Sequence, residues 1–174
     1  MKKSYLLVLV ALSFLSCDKE SNPLFRIVFN PVTISVSPTM SAFEEHSFLV
    51  SVKTNFKNTF DANGISPDSI KYIRPISARL TTIFEGDLDF VRAMSIRVCP
   101  IGSSNVNNCG MEAFWRDPVP DNVNSRIDLV NSNINDIQDF VLHEDVELQI
   151  VFERLWRNPD RIFDIQVGVE FGVW

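Results

Sequence analysis

Apolar and polar residues alternate strictly near the end of the chain. Every second residue there is apolar: Phe163, Ile165, Val167, Val169, Phe171 and Val173. The stretch 146–153 has the same period of two, which is typical of a half-buried β-strand. Residues 157–160, between the two stretches, are turn formers, so the pattern predicts a long antiparallel hairpin.

Shorter alternating stretches recur through the rest of the chain, at 32–36, 48–52, 76–82, 94–98, 112–116 and 126–130. With the last two stretches they predict about eight strands. No long segment has the helical period, and only 66–70 and 135–142 predict short helical turns. Many short strands separated by turns favour an all-β fold, an antiparallel β-sandwich of immunoglobulin-like or related type.

The N-terminal pattern is different. Two lysines precede an apolar run over 5–15, and polar residues return directly after Cys17. A basic start, a short apolar segment and the small residue Ser16 before the cut describe a secretory signal. The run is shorter than the roughly 20 apolar residues that a membrane-spanning helix needs. We therefore expect residues 1–16 to be a signal peptide.

The end of this segment, Phe14-Leu15-Ser16-Cys17, resembles a bacterial lipobox. Ser16 fits that pattern, whereas Phe14 and Leu15 stand where other residues are commoner. The resemblance implies that Cys17 is lipidated and becomes the first residue of the mature chain. Each buried methylene contributes about 0.8 kcal/mol, so the two or three acyl chains that the resemblance implies would hold the protein firmly. The alternative is an ordinary secretory signal with a chance cysteine.

These features predict three segments: the signal, a lipidated N-terminus with a short tether over 17–23, and a single domain over 24–174. The expected location is the cell envelope, at the outer membrane, on its periplasmic face or the cell surface. Asp18-Lys19-Glu20 resembles the acidic patch that follows the cysteine in surface-exported lipoproteins of the Bacteroidota. The expected membrane contact is therefore the lipid anchor.

Charge and size narrow the function classes. The mature chain has 14 Lys and Arg against 22 Asp and Glu residues, so it lacks the basic footprint of a nucleic-acid-binding protein. A chain of this size buries about 70% of its unfolded surface and can fold without a cofactor. We predict no nucleic-acid partner and no cofactor.

The cysteine count fits export. Cys99 and Cys109 flank a turn-rich loop, and export permits disulfides. Because Cys17 is assigned to the anchor, the other two cysteines can pair, although two free thiols are the alternative. We predict a Cys99–Cys109 disulfide.

The layout resembles small β-sandwich lipoproteins of the Bacteroidota that have no assigned activity. The resemblance rests on Gly64-Ile65-Ser66-Pro67-Asp68 before the strand that ends near Phe84, on Leu88-Asp89-Phe90 before the strand at 94–99, and on the two long final strands. It covers most of 45–174. It implies a fold and brings no site residues. Asp68-Ser69-Ile70 also resembles the O-glycosylation sequon of exported Bacteroidota proteins.

Several polar clusters are candidates for a metal site or an acid–base site. Asp61-Ala62-Asn63-Gly64 does not fit the spacing of an EF-hand and is interpreted as a turn. Glu85, Asp87 and Asp89 have little apolar shielding to raise a carboxyl pKa. His143-Glu144-Asp145 precedes a strand, where neighbours point to opposite faces, and His46 has no zinc spacing. We predict no catalytic motif and no metal site.

The tryptophans are the candidate ligand residues. Trp115 and Trp156 each precede an arginine near a strand end, and Trp174 falls on the polar face of the last strand. An exposed Trp can stack on a sugar ring or anchor a protein interface. The alternative is that each Trp covers the core. These residues predict a glycan or an envelope protein as partner.

Three functions remain open. The preferred one is a non-enzymatic, lipid-anchored binding or structural module of the envelope, with a patch containing Trp115, Trp156 or Trp174. The second is an envelope hydrolase in which some of Asp87, Asp89, His143 and Glu144 converge in a pocket. The third is an assembly subunit that pairs by strand addition, with the strand ending at Trp174 as the open edge.

Overall fold

The computed structural model describes residues 22–84, 86–103, 109–134 and 136–174. The predicted signal peptide, Cys17, the acidic patch after it, Glu85 and Asn135 lie outside the described residues. No helix within the described ranges is long and apolar enough to cross a membrane.

The described residues form nine strands and three short helices. The strands are β1 (Phe25–Val28), β2 (Val32–Val36), β3 (His46–Lys53), β4 (Ile73–Thr82), β5 (Val91–Cys99), β6 (Met111–Arg116), β7 (Arg126–Asn131), β8 (Asp145–Leu155) and β9 (Phe163–Val173). The helices are α1 (Phe56–Asn63), a 3-10 helix (Pro67–Ser69) and α2 (Gln138–Val141). The all-β prediction is confirmed, as are the helical turns expected at 66–70 and 135–142.

Hydrogen bonds join the described strands into one antiparallel sheet in the order β1-β9-β4-β7-β6-β5-β8-β3, with β2 also paired to β9. The order has two halves, one of β1, β2, β9, β4 and β7 and the other of β6, β5, β8 and β3. Among the described strands the two halves are joined by the short pairing of β6 with β7, over Phe114↔Asn131 and Trp115↔Val130. The immunoglobulin-like sandwich, which requires two separate sheets, stays a prediction.

One core serves both halves of the sheet. Phe114 of β6 packs against Phe171 of β9, with ring centroids 5.6 Å apart. Phe90, in the loop before β5, contacts both Phe152 of β8 and Phe163 of β9. Phe152, Phe163 and Phe171 come from the faces that the alternation predicts to be apolar. Ile76 is an exception: the alternation over 76–82 groups it with the buried Ala78 and Leu80, but it lies beside the irregularity between Pro75 and Ser77 and lines a surface cleft.

The predicted hairpin of the last two strands is wrong. β8 pairs with β3 and β5, whereas β9 pairs with β1, β2 and β4. The link over 156–162 carries the chain from one half of the sheet to the other. Each of the two strands must bury its apolar face in the shared core. Strands in opposite halves of the sheet bury these faces as well as neighbouring strands of a hairpin would.

Two elements escaped the sequence prediction. β1 has four residues, too few for a clear alternation. α1 buries Phe56 and Phe60, which stand four residues apart on one helix face. The segment 61–64, interpreted as a turn, is the last turn of α1 with Gly64 as its cap at a φ of 65°. The positive φ was therefore predicted correctly, but the helix was not.

The open edge of the sheet is not where the sequence predicted it. The strand ending at Trp174, β9, has neighbours on both sides, so it offers no free edge. Among the described strands β3 ends the order on one side, and β1 and β2, both paired to β9, end it on the other. An assembly by strand addition would use one of these two edges.

The predicted disulfide is present between Cys99, at the end of β5, and Cys109, just before β6, with Cα atoms 5.2 Å apart. It closes a loop with a sequence separation of 10. A loop of this size is expected to stabilise the fold by about 3 kcal/mol by restricting the unfolded chain.

Reduction should therefore lower the free energy of unfolding by about 3 kcal/mol. Urea denaturation with and without dithiothreitol measures the change. A double Cys99→Ala, Cys109→Ala variant is the control, since it should already have the lower stability and ignore the reductant. Equal stability of the oxidised and reduced proteins would contradict the prediction.

Candidate functional site

The three candidate tryptophans do not form one patch. Trp115 lies within β6, opposite Ser95 of β5 and Val130 of β7. Trp156 follows β8, where its ring lies 4.5 Å from the guanidinium carbon of Arg92. Trp174 follows β9 and lines a cleft that neither of the other two lines. The predicted patch thus separates into single sites, of which only Trp174 is accompanied by a second aromatic ring.

The Trp174 ring is held from several sides. Tyr72 stacks on it, with ring centroids 5.3 Å apart and planes inclined by 29°. On the strand, Gly172 leaves room for the indole, because a Cβ there would lie 2.6 Å from the ring. The backbones of Tyr72 and Trp174 are also joined, since Trp174 N–H donates to the Tyr72 carbonyl at 3.0 Å. The indole is therefore positioned before any ligand arrives.

Arginines flank this aromatic pair. The guanidinium carbon of Arg74 lies 4.0 Å from the Tyr72 ring centre, a cation–π distance. Arg26 of β1 stands opposite Gly172 in the register and donates to Glu170 of β9 at 2.9 Å. Ser77 donates to the other oxygen of that carboxylate at 2.9 Å. The outer faces of β1, β9 and β4 thus present a row of donors beside the two rings.

Together these groups line a cleft of about 690 Å³. Amide, hydroxyl and apolar side chains form the rest of its described lining: Pro23, Pro75, Ile76, Asn131, Ser132, Asn133 and Ile134. The described lining therefore combines two aromatic rings, two cations and two amides, and no Asp or Glu side chain is among its described residues. Its volume lies in the range of small-molecule sites.

The outer face continues toward β7, where Asp128 bonds to two arginines. Arg79 donates to it at 2.7 Å and Arg126 at 2.8 Å. Burial raises the pKa of the Asp128 carboxyl, but these two hydrogen bonds outweigh burial and hold its pKa below the usual value. All three side chains are more than half exposed, so this cluster is a solvated charge network.

The residues named for a hydrolase lie in two distant places. Asp87 accepts a hydrogen bond from the Asp89 backbone at 2.7 Å, beside Arg157 after β8. His143 and Glu144 line a separate cavity just before β8 begins. The 11 residues of β8 separate the two places by about 36 Å at the rise of a β-strand.

The acidic loop has a structural role. Asp87 and Asp89 use their carboxylates to bind backbone N–H groups, Asp89 that of Asn124 at 3.1 Å. The ring of His46 makes the opposite kind of contact, since its Nε2–H donates to the Ser41 carbonyl oxygen at 2.8 Å. These contacts order the loops that carry them.

Tyr72, Arg74 and Arg26 are candidate site residues that the sequence analysis missed. Tyr72, just before β4, and Arg74 within it alternate with the buried Ile73, which places both on the side of β4 away from the core. That signal was present in the sequence. Which strand lies beside them was not, because the pairing of β4 with β9 spans about a hundred residues of chain.

The described residues do not bring potential metal ligands together. Within the described ranges no three His, Cys, Asp or Glu side chains come together as a metal site would require. The cleft around Trp174 is then the described site that best combines shape with chemistry. No family model, no curated protein and no solved structure matches this chain.

Proposed function

We propose that this chain is an exported bacterial lipoprotein, anchored through lipid on Cys17, whose domain binds a saccharide in the cleft around Trp174. The observation that carries the proposal is the stack of Tyr72 on Trp174 within that cleft. The anchor is supported by the lipobox resemblance and by the polar tether that follows Cys17. As a class, the chain resembles the small envelope lipoproteins of the Bacteroidota.

The lining of the cleft matches the surface of a sugar. A sugar ring has an apolar C–H face and a rim of hydroxyl groups. The Trp174 and Tyr72 rings offer flat apolar surface for the face, and Trp loses little conformational freedom when it is already held in place. Arg74 and Arg26 donate hydrogen bonds, while the Asn131 and Asn133 amides can donate and accept them. A neutral or acidic saccharide satisfies these groups.

Binding is preferred to hydrolysis because the acid–base residues are far apart. Glycoside hydrolysis needs a pair of carboxyl groups within about 10 Å of each other on either side of the bond. No Asp or Glu side chain is among the described residues that line the cleft. The carboxylates of Glu170 and Asp136 lie beside it, but Glu170 is bound to Arg26 and Ser77, and Asp136 accepts from the backbone N–H groups of Ile73 and Gln138.

Truncation of Trp174 tests the saccharide site. With Trp174→Ala we expect affinity for the bound saccharide to fall about five- to tenfold, since an aromatic stack contributes about 1 kcal/mol. Trp174→Phe should retain most of the affinity. The measurement is binding of the purified protein to an array of neutral, N-acetylated and uronic-acid oligosaccharides, followed by calorimetry with the best of them.

The matched control is Trp115→Ala, which removes an exposed indole outside the cleft. It should leave the affinity unchanged. Thermal unfolding of each variant separates loss of the site from loss of the fold. If the parent protein binds no saccharide on the array, or if both alanine variants lose affinity equally, the proposal is wrong.

A further inference from the structure

Four large apolar side chains stand out in solvent at one end of the molecule. Phe43 is 99% exposed, Phe84 95%, Ile162 72% and Trp156 50%. They come from three loops: the β2–β3 loop, the β4–β5 loop and the β8–β9 loop. We call these four residues the apical patch. Single exposed apolar residues are ordinary, but a group on neighbouring loops indicates an interaction surface.

The three loops contact one another. Ala42, next to Phe43, donates its backbone N–H to the Asn158 side chain at 3.1 Å. Arg157 lies 3.9 Å from Asp87 of the β4–β5 loop. The Ile83 N–H donates to the Asp164 carbonyl at 2.8 Å, which sets Phe84 beside the start of β9 and hence beside Ile162. The β8–β9 loop is therefore the centre to which the other two attach.

Phe84 has a backbone conformation that its side chain does not favour. Its φ is 64°, in the left-handed region. The other described non-glycine residues with positive φ are Asn55, Asn122 and Asn124, and asparagine tolerates this region well. A bulky residue there costs about 1–2 kcal/mol, and Phe84 recovers nothing by burial. The chain thus carries an exposed aromatic ring on an unfavourable backbone conformation. We expect such a ring to be covered by another surface.

The apical patch lies at the opposite end from the tether. Leu24 donates to Val173, so the chain enters from the Val173 end of β9. Ile162 immediately precedes the other end of the same strand. The 11 residues of β9 separate the two ends by about 36 Å. From Cys17 to the start of β1 the chain has too few residues to span more than about 28 Å.

This placement narrows what can cover the patch. When β9 runs along the membrane normal, the apical patch faces away from the membrane in which Cys17 is anchored. A second copy anchored beside the first would point the same way, so the two patches could not meet end to end. Exposed Glu44 and Glu45 adjoin Phe43, whereas Arg161 adjoins Ile162 and Arg157, next to Trp156, is paired with Asp160. The two glutamates would repel an anionic lipid surface on the Phe43 side of the patch. They would attract a basic one on a protein.

We infer that the apical patch docks a different envelope protein, one that offers an apolar pocket with a basic rim. Phe43 and Phe84 would enter the pocket, because they are the most exposed of the four. Glu44 and Glu45 would face the rim. The inference uses the lipid anchor of the proposed function only to orient the domain, and it does not depend on saccharide binding.

The test is photo-crosslinking of the full chain in the cells that make it, with benzoylphenylalanine placed at position 84 or 162. The control position is Ile101, which is exposed but lies beyond Cys99, at the end of β5 away from the patch. We expect one discrete protein adduct from positions 84 and 162 and none from position 101. Acylation and saccharide binding are scored separately, so either proposal can fail alone.

Variants then probe the chemistry with the crosslinker at position 162. Phe84→Gly should reduce the adduct about tenfold or more, as removal of an interface hot spot does. Glycine adopts positive φ freely, so this variant should keep or raise the melting temperature. The pair Glu44→Lys, Glu45→Lys should also reduce the adduct, because a basic rim would be repelled.

Several outcomes overturn the inference. An adduct made only of this chain would identify a second copy as the occupant. Crosslinks to lipid alone would identify a membrane. An equal adduct from position 101, or an adduct unaffected by Phe84→Gly and by the double lysine variant, would show that the apical patch does not bind the protein captured.

Discussion

A chain carrying Gly110→Ala is expected to lose at least about 4 kcal/mol of folding free energy, the range of the most damaging single substitutions. Gly110 has a φ of 58°, and a Cβ there would lie 1.8 Å from the Val98 carbonyl oxygen. That oxygen belongs to the backbone of β5, so it cannot move aside as a flexible side chain could. Since folded domains are stable by only about 5–15 kcal/mol, this loss is a large share of the total, and the variant should unfold at a much lower urea concentration.

The matched control is Gly102→Ala. Gly102 also has a positive φ, of 75°, but a Cβ there meets nothing within 4 Å. It should cost only the about 1–2 kcal/mol of left-handed backbone. Urea denaturation of both variants, with the disulfide intact, isolates the clash as the difference between them. Equal losses in the two variants would contradict the close approach of Gly110 to β5.

Cys17→Ser is expected to have the largest effect on location. A serine cannot form the thioether to the acyl-bearing group, so the chain should leave the membrane fraction and incorporate no labelled fatty acid. One acyl chain alone gives only marginal binding, so loss of all of them should release the protein. Membrane fractionation of cells grown with an alkyne-labelled palmitate measures both effects.

The control for Cys17→Ser is the double variant Cys99→Ser, Cys109→Ser. It removes the two other cysteines of the chain and should keep the fatty-acid label and the membrane location. A Cys17→Ser protein that still carries the label, or that stays with the membrane after a salt wash, would contradict the proposed anchor.

The alternation of apolar residues was enough to locate most strands and the face that each one buries. Ile165 and Val167 are buried while Asp164 and Gln166 between them are exposed, as a period of two requires. The disulfide was also predictable, because the cysteine count leaves few alternatives in a chain that is expected to be exported. These are properties of short segments or of counts, which the sequence contains directly.

Strand order was not predictable in this way. The alternation states that β8 and β9 each need an apolar face covered, but not which strands lie beside them. That choice placed the two strands in opposite halves of the sheet, closed both edges of β9, and left β3 on one side and β1 with β2 on the other as the edges of the described sheet. It also separated Asp87 from His143, so the four hydrolase candidates do not form one site, although His143 and Glu144 line one cavity together.

The candidate site also combines a residue that the sequence predicts with residues that only strand pairing brings to it. The sequence alone makes Trp174 one of three tryptophans that could contact a ligand. It does not identify Tyr72 and Arg74 as neighbours of Trp174. Pairing of β4 with β9 set Tyr72 on Trp174 and created the cleft. The sequence by itself determined the class of fold, the buried faces, the disulfide and the case for export. Only the tertiary structure decided which distant side chains meet, because that depends on pairings between strands far apart in the chain, to which local periodicity is blind.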